Sequence, residues 1–172
     1  MRLRIKDTSF TLKLISWLQI IGGITGLGLI CKLLLETGTI NGPLLLIFFV
    51  GVSLFIFSIY SGKRLLTDLE KIEGLKLSLL NQSLQLVHWS LFGYGLSYSS
   101  GANLLIGFKG LSIDFNFSVF ISSFYMYINS DNEYFIKVNV VAILLIIILY
   151  DILKEKVIVN RGEGKAFRYY TN

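Results

Sequence analysis

Apolar residues run almost unbroken from about Leu14 to Leu35 and again from about Leu44 to Gly62, separated by a short polar, proline-containing link, Glu36 to Pro43. Each run is about 20 residues, the length at which an α-helix crosses a hydrocarbon core of ~30 Å. The pattern predicts a transmembrane helical hairpin. Beyond it, from Lys63 to Glu73, charge alternates with Leu65, Leu66, Leu69 and Ile72 at helical spacing. That spacing continues the second helix as an amphipathic extension, closed by Gly74, so residues 1–74 form the first unit.

The pattern then changes. From Leu75 to Phe108 the only formal charge is Lys76, and Gly93, Gly95, Gly101 and Gly107, with serines and paired aromatics, suit strands better than a helix. Leu111, Ile113, Phe115, Phe117, Val119 and Ile121 alternate with Ser112, Asp114, Asn116, Ser118, Phe120 and Ser122, the period of a half-buried strand. Asn129 to Asn132 carries turn residues, and Tyr134, Ile136, Val138 and Val140 resume the alternation. We therefore expect an antiparallel β-meander of three to five strands between Leu84 and about Val141. An apolar C-terminal helix, Val140 to Leu153, follows it and is closed by Lys154, Glu155 and Lys156. The predicted fold is a membrane α+β protein, residues 75–172 being a membrane-associated β-meander with a C-terminal helix and basic tail. The alternative is a four-helix transmembrane protein in which Leu84 to Phe108 and a run starting at Tyr134 also cross.

Charge sets the orientation. Arg2, Arg4, Lys6 and Lys13 precede the first run against only Asp7, the link carries Glu36 and no base, and Lys63 and Arg64 follow the second run. By the positive-inside rule all three flanks place the hairpin in a cytoplasmic membrane with its N-terminus inside. The tail through Lys165 and Arg168 is also basic, so both termini are expected in the cytoplasm and the chain between crosses twice more or not at all. No further crossing is the preferred reading, with the β-domain on the inner leaflet; two crossings would put the Asn129 to Asn132 turn outside. The first run is too long for the apolar stretch of a signal peptide, and Ile30 stands where lipoprotein processing at Cys31 would need a small residue. With 53% hydrophobic residues the chain is too apolar for an ordinary soluble domain. Its net charge of +5 sits beside the apolar runs, which argues against nucleic acid as a partner. The lone Cys31 closes no disulfide within the chain.

Candidate functional positions are few. Gly22 and Gly26 on the first helix, and Gly51, Ser58 and Gly62 on the second, are small residues of the kind that let helix backbones approach closely in lipid. They can serve packing within the chain, a homo-oligomer or docking on a larger membrane complex. Lys32 lies near the outer end of the first helix, where its stem reaches the headgroups. His88, beside Trp89, has no second histidine or cysteine nearby and reads as a hydrogen-bonded packing residue rather than a metal ligand. Gly162, Gly164 and Lys165 follow a β-like stretch at Val157 to Val159, but Ala166 replaces the hydroxyl residue a phosphate loop needs. Asp114 with Lys109, and Asp131 with Glu133, read as hairpin-edge charges. No catalytic group, cofactor or metal is expected.

The expected function is that of a non-enzymatic accessory module of the membrane, whose partners are the lipid bilayer and a larger complex or further copies of itself. Two N-terminal membrane helices followed by a compact β-domain are, at the level of architecture, similar to small membrane effectors of bacterial antiviral signalling. That resemblance implies a β-domain that binds a cytosolic nucleotide signal and helices that disturb the membrane. A membrane immunity protein that shields the cell from a toxin is the third reading.

Overall fold

The computed structural model describes residues 8–67, 69, 71–119, 122–128 and 134–170, without the side chains of residues 118, 119, 127 and 159–170. The N-terminal bases Arg2, Arg4 and Lys6, the acidic pair Asp68 and Glu70, and the Asn129 to Asn132 turn with Asp131 and Glu133 lie outside the described residues. Two long helices, α1 (Thr8–Glu36) and α2 (Gly42–Thr67), form an antiparallel hairpin, each long and apolar enough to cross a membrane. Asn41 starts α2: its side chain accepts from the Leu44 amide at 2.9 Å, and Pro43 falls in the first turn, where a missing N–H costs nothing.

The five small residues singled out above are all buried inside this chain. A Cβ on Gly26 would meet the Phe55 ring at 2.1 Å, one on Gly51 would meet Ile30 at 2.8 Å, and one on Gly62 would meet the Ser16 carbonyl at 2.7 Å. A Cβ on Gly22 would reach the Gly101 backbone nitrogen at 2.2 Å, so Gly22 seats the sheet against α1 rather than α2. Ser58 donates to the Gln19 carbonyl at 3.0 Å.

After α2 the chain turns back. Helix α3 (Ile72–Leu84) packs antiparallel on α2, with Gly74 so close to the backbone of Arg64 and Leu65 that a Cβ there would lie 3.0 Å from it, and with Asn81 level with Ser58. Gly74 thus lies at the start of a new helix instead of closing the previous one, because only a residue without a side chain fits the contact. The last helix, α4 (Val140–Tyr170), starts where the Asn139 amide donates to the Leu86 carbonyl and runs antiparallel to α3. Its Leu149 and Ile152 join Leu12, Ile15, Leu65 and Leu75 in one apolar core, and the Lys156 ammonium reaches the Leu69 carbonyl. The helix begins at the expected residue but is longer: Val157 to Val159, read as extended, and the segment around Gly162 and Lys165 are helical.

Between α3 and α4 lies a six-stranded antiparallel sheet: β1 (Val87–Leu91), β2 (Tyr94–Ser99), β3 (Ala102–Lys109), β4 (Ser112–Val119), β5 (Ser123–Tyr127) and β6 (Phe135–Asn139). Its order is β4-β3-β6-β1-β2-β5, so the expected meander is corrected to a sheet in which β6 inserts between two hairpins. The hairpins themselves follow from turn chemistry. Phe92 and Gly93 both take positive φ, 53° and 82°, as a type I′ loop requires, and Gly110 at φ 59° opens the β3–β4 loop.

Connection lengths force the sheet to curl. Laid flat, β4 and β5 would stand five strand spacings apart, about 24 Å. Val119 and Ser123 are four residues apart in the chain, a reach of at most ~14 Å. The second link agrees, since Ser99 and Ala102 join β2 to β3 across three spacings. Two glycines on one face show the direction of the curl. A Cβ on Gly107 would meet Ile136 O at 2.1 Å and one on Gly95 would meet Trp89 O at 2.6 Å, each the backbone of a neighbouring strand.

The sheet lies beside the half of the hairpin nearer the α1–α2 link. Phe124 and Tyr98 pack with Ile30, Phe48 and Phe55, and partly buried Leu96 and Met126 join them. A β-domain at the Lys13 and Lys63 end of the helices was expected; the doubling back of α3 carries the strands toward the opposite end. We predict that Gly22→Ala destabilises the protein by about 1–3 kcal/mol through overpacking. Gly28→Ala, with nothing within 4 Å of its Cβ, should be neutral or slightly stabilising. Unfolding of the two variants in detergent, followed by circular dichroism, checks both.

Candidate functional site: the concave face of the sheet

Strand alternation sorts the sheet into two unlike faces. One carries Trp89, Leu96, Tyr98, Leu104, Ile106, Phe108, Ile113, Phe115, Phe117 and Ile136; the other carries His88, Ser90, Ser97, Ser99, Asn103, Asp114, Lys137 and Asn139. The curl is concave toward the polar face, as the Gly95 and Gly107 contacts require.

A single row of register partners crosses all six strands on this face. Asp114 lies opposite Gly107, Gly107 opposite Lys137, Lys137 opposite His88, and Ser97 opposite Tyr125, while His88 and Ser97 are joined by their side chains. Gly107 has no side chain to separate its neighbours, so the Lys137 ammonium reaches the Asp114 carboxylate at 2.5 Å across β3. The hydrogen bond from Lys137 holds the Asp114 carboxyl below its usual range, with a further contribution from the Lys109 charge. Sequence reasoning paired Asp114 with Lys109 alone because it had no register; the partner across β3 depends on where β6 inserts.

His88 is buried and both ring nitrogens are used. The Gln85 carbonyl, 3.2 Å from Nε2, can only accept, so Nε2 carries the proton and Nδ1 accepts from the Ser97 hydroxyl at 2.6 Å. This is a neutral packing histidine. Burial lowers its pKa to about 4, opposed by the Gln85 hydrogen bond and aided by the Lys137 charge.

Toward the helices the concave face joins a polar layer that sequence reasoning missed apart from Ser58. Gln19 Oε1 accepts from Ser61 at 2.7 Å and Ser78 at 3.3 Å. Ser58 and Ser100 share a hydrogen bond of 2.8 Å, Asn81 donates to Ser58 at 3.2 Å, and the Tyr98 hydroxyl donates to the Leu54 carbonyl at 3.0 Å. Ser122 donates to the Gly22 carbonyl at 2.5 Å. Three buried atoms of the concave face, Ser99 Oγ, Asn103 Oδ1 and Asn139 Nδ2, have no hydrogen-bond partner among the described residues. At the β3–β4 tip a cavity of about 620 Å³ is lined by Lys109, Gly110, Ser112, Ile113, Asp114 and Tyr134. Among the described residues no three His, Cys, Asp or Glu side chains gather as a metal site.

The other face is covered by the hairpin at β2 and β5, through Tyr98 and Phe124, and open at β3 and β4. Phe108, Ile113, Phe115 and Phe117 are each more than 60% exposed, so the C-terminal helix does not bury this side of the strand. The strand alternates as read, but among the described residues β4 is the edge of the sheet, and no helix packs extensively on it. Lys32 is exposed and pairs with Glu36 at 3.8 Å, a surface contact worth little. No family model, curated protein or solved structure matches the chain.

His88 gives this site a pH signature. Between pH 6.5 and about 4 the unfolded chain binds a proton at His88 that the folded chain does not, so stability is full above 6.5 and falls as the pH drops through this window. The slope should approach ~1.4 kcal/mol per pH unit and be absent in His88→Gln. Denaturant midpoints in detergent at several pH values measure it.

Proposed function

We propose that this protein is a non-enzymatic integral membrane protein that acts as an assembly module, and that its docking element is the edge strand β4. Gly22, Gly26, Gly51, Ser58 and Gly62 are consumed by contacts inside the chain, so the helix faces they line are not free for a partner. The single observation that carries the reading is the free edge of β4, an eight-residue strand at the border of the sheet with its apolar side uncovered. An unpaired strand edge is a template for another chain, and β4 lacks the proline and basic residues that usually blunt such edges. The flanking charges support, as part of the same proposal, a cytoplasmic membrane with both termini in the cytoplasm. The mass of the protein in mild detergent tests the proposal. A dimer or larger assembly, or a stoichiometric complex, is expected, and Asn116→Pro should release the monomer. A wild-type monomer that co-purifies with nothing would remove the reading.

A second reading is favoured by the cavity at the β3–β4 tip. Its Lys109, Ser112, Asp114 and Tyr134 offer both charges and hydroxyls to a small polar ligand, as a membrane sensor or effector would need. Growth arrest on expression, abolished by Asp114→Ala, would favour it over the first.

A further inference from the structure

The uncovered apolar face of the sheet needs an occupant, and the helices indicate which. The midpoint of α1, counted from Thr8 to Glu36, is Gly22, and that of α2, from Gly42 to Thr67, falls between Leu54 and Phe55. The sheet docks at both midpoints: Ser122 and Gly101 meet Gly22, and Tyr98 meets Leu54 and Phe55. From there the strands run toward the α1–α2 link, with Leu96, Phe124 and Met126 against Phe48 and Ile30. With both helices centred on the bilayer, one half of the sheet end to end shares the depth of a leaflet. The α1 and α2 surfaces beside it are apolar and exposed at Ile24, Leu34, Leu45, Phe49 and Ile56, so the uncovered sheet face continues a lipid-facing surface.

We propose that lipid acyl chains cover the convex face of the sheet, so that β3, β4 and β6 are inserted in the leaflet on the link side of the hairpin. The proposal rests on the membrane reading of α1 and α2. Sidedness of residues agrees with it: the convex face presents Ile106, Phe108, Ile113, Phe115, Phe117 and Ile136, while Ser, Asn, His and the Asp114–Lys137 pair turn inward. Apolar outside and polar inside is the distribution that sheets in lipid adopt, the reverse of a soluble domain. The strands leave the bilayer at the β3–β4 loop, where Lys109 and Ser112 reach the headgroups. Insertion also raises the cost of the open β4 edge, since hydrocarbon offers its backbone no partner.

Bromolipid quenching of tryptophan fluorescence tests both levels at once. The protein is reconstituted in phosphatidylcholine vesicles with or without bromine at mid-chain. One variant, Trp89→Phe, keeps only Trp17, an exposed residue of α1. The other carries Trp17→Phe, Trp89→Phe and Phe115→Trp, with Phe117→Trp in place of Phe115→Trp as a second probe should the first not fold. Strong quenching of Trp17 and of the residue-115 or residue-117 tryptophan is expected. Quenching of Trp17 with an unquenched sheet tryptophan would overturn the proposal and leave the membrane spans standing. Quenching of neither would overturn both.

Discussion

Two apolar clusters in this protein are separated by a layer of buried polar groups, and the architecture depends on pairing that layer. Below it Leu12, Ile15, Leu65, Leu75, Leu149 and Ile152 join four helices; above it Ile30, Phe48, Phe55, Tyr98 and Phe124 join the hairpin to the sheet. Gln19, Ser58, Ser61, Ser78, Asn81 and Ser100 lie between. Each unpaired polar group buried here would cost about 1–3 kcal/mol. Gln19 Nε2 has no partner among the described residues, while the bonds made by Ser58, Ser78, Asn81 and Ser100 form only when α3 lies at one register along α2 and the Ser100 turn meets Ser58. An apolar seam would tolerate sliding. A hydrogen-bonded one selects a single height at which the strands leave the helices, and that height places the sheet beside the link-side half of the hairpin.

Much of this was legible in the residues. The two long apolar helices follow from the apolar runs, although α1 and α2 extend past them to Thr8 and Thr67, the strands β4 and β6 follow from their period of two, and the start of α4 from the apolar run after Asn139. What the pattern could not carry was long-range order. Period two says that Ile113, Phe115 and Phe117 share a face; it does not say whether that face is covered. Likewise Gly74 has the residue type of a helix end, yet its role follows from a backbone contact with Arg64 and Leu65. The insertion of β6 between β3 and β1 joins segments far apart in the chain, and no local signal encodes it. For the same reason the Asp114–Lys137 pair was invisible, while His88, whose partners lie close in sequence, was read correctly as a packing residue.

The curl of the sheet links these observations to chemistry. Short connections pull β4 toward β5 and close the polar face on itself, which is why His88 and Ser99 are buried although their register neighbours, Lys137 and Ser123, are polar. The bend needs strands to approach closely on the concave side, and Gly95 and Gly107 make that possible. The same absence of a side chain at Gly107 lets a lysine and an aspartate two strands apart form an ion pair. One residue therefore serves the shape of the sheet and the electrostatics of its interior.

A fold with polar groups inside and apolar groups outside is held differently from a soluble domain. Where lipid surrounds it, burying Phe115 or Ile113 gains little, since acyl chains are as apolar as the interior of a protein. Close packing and satisfied hydrogen bonds must do what the hydrophobic effect does in water. The chain is built in that way: Gly22 and Gly62 bring backbones into contact, Gly26 and Gly51 make room for the Phe55 and Ile30 side chains, and hydroxyls of Ser58, Ser61, Ser122 and Tyr98 bond across elements. In such a molecule a lost methyl group on the convex face should matter less than a lost hydroxyl in the polar layer, the opposite of the order in a water-soluble protein. The hydroxyl of Tyr98 is the sharpest case, because it ties β2 to the Leu54 carbonyl at the midpoint of α2 while its ring packs edge-on against Phe55. The ring supplies contact and the hydroxyl supplies register, and only the second fixes the depth at which the sheet is held.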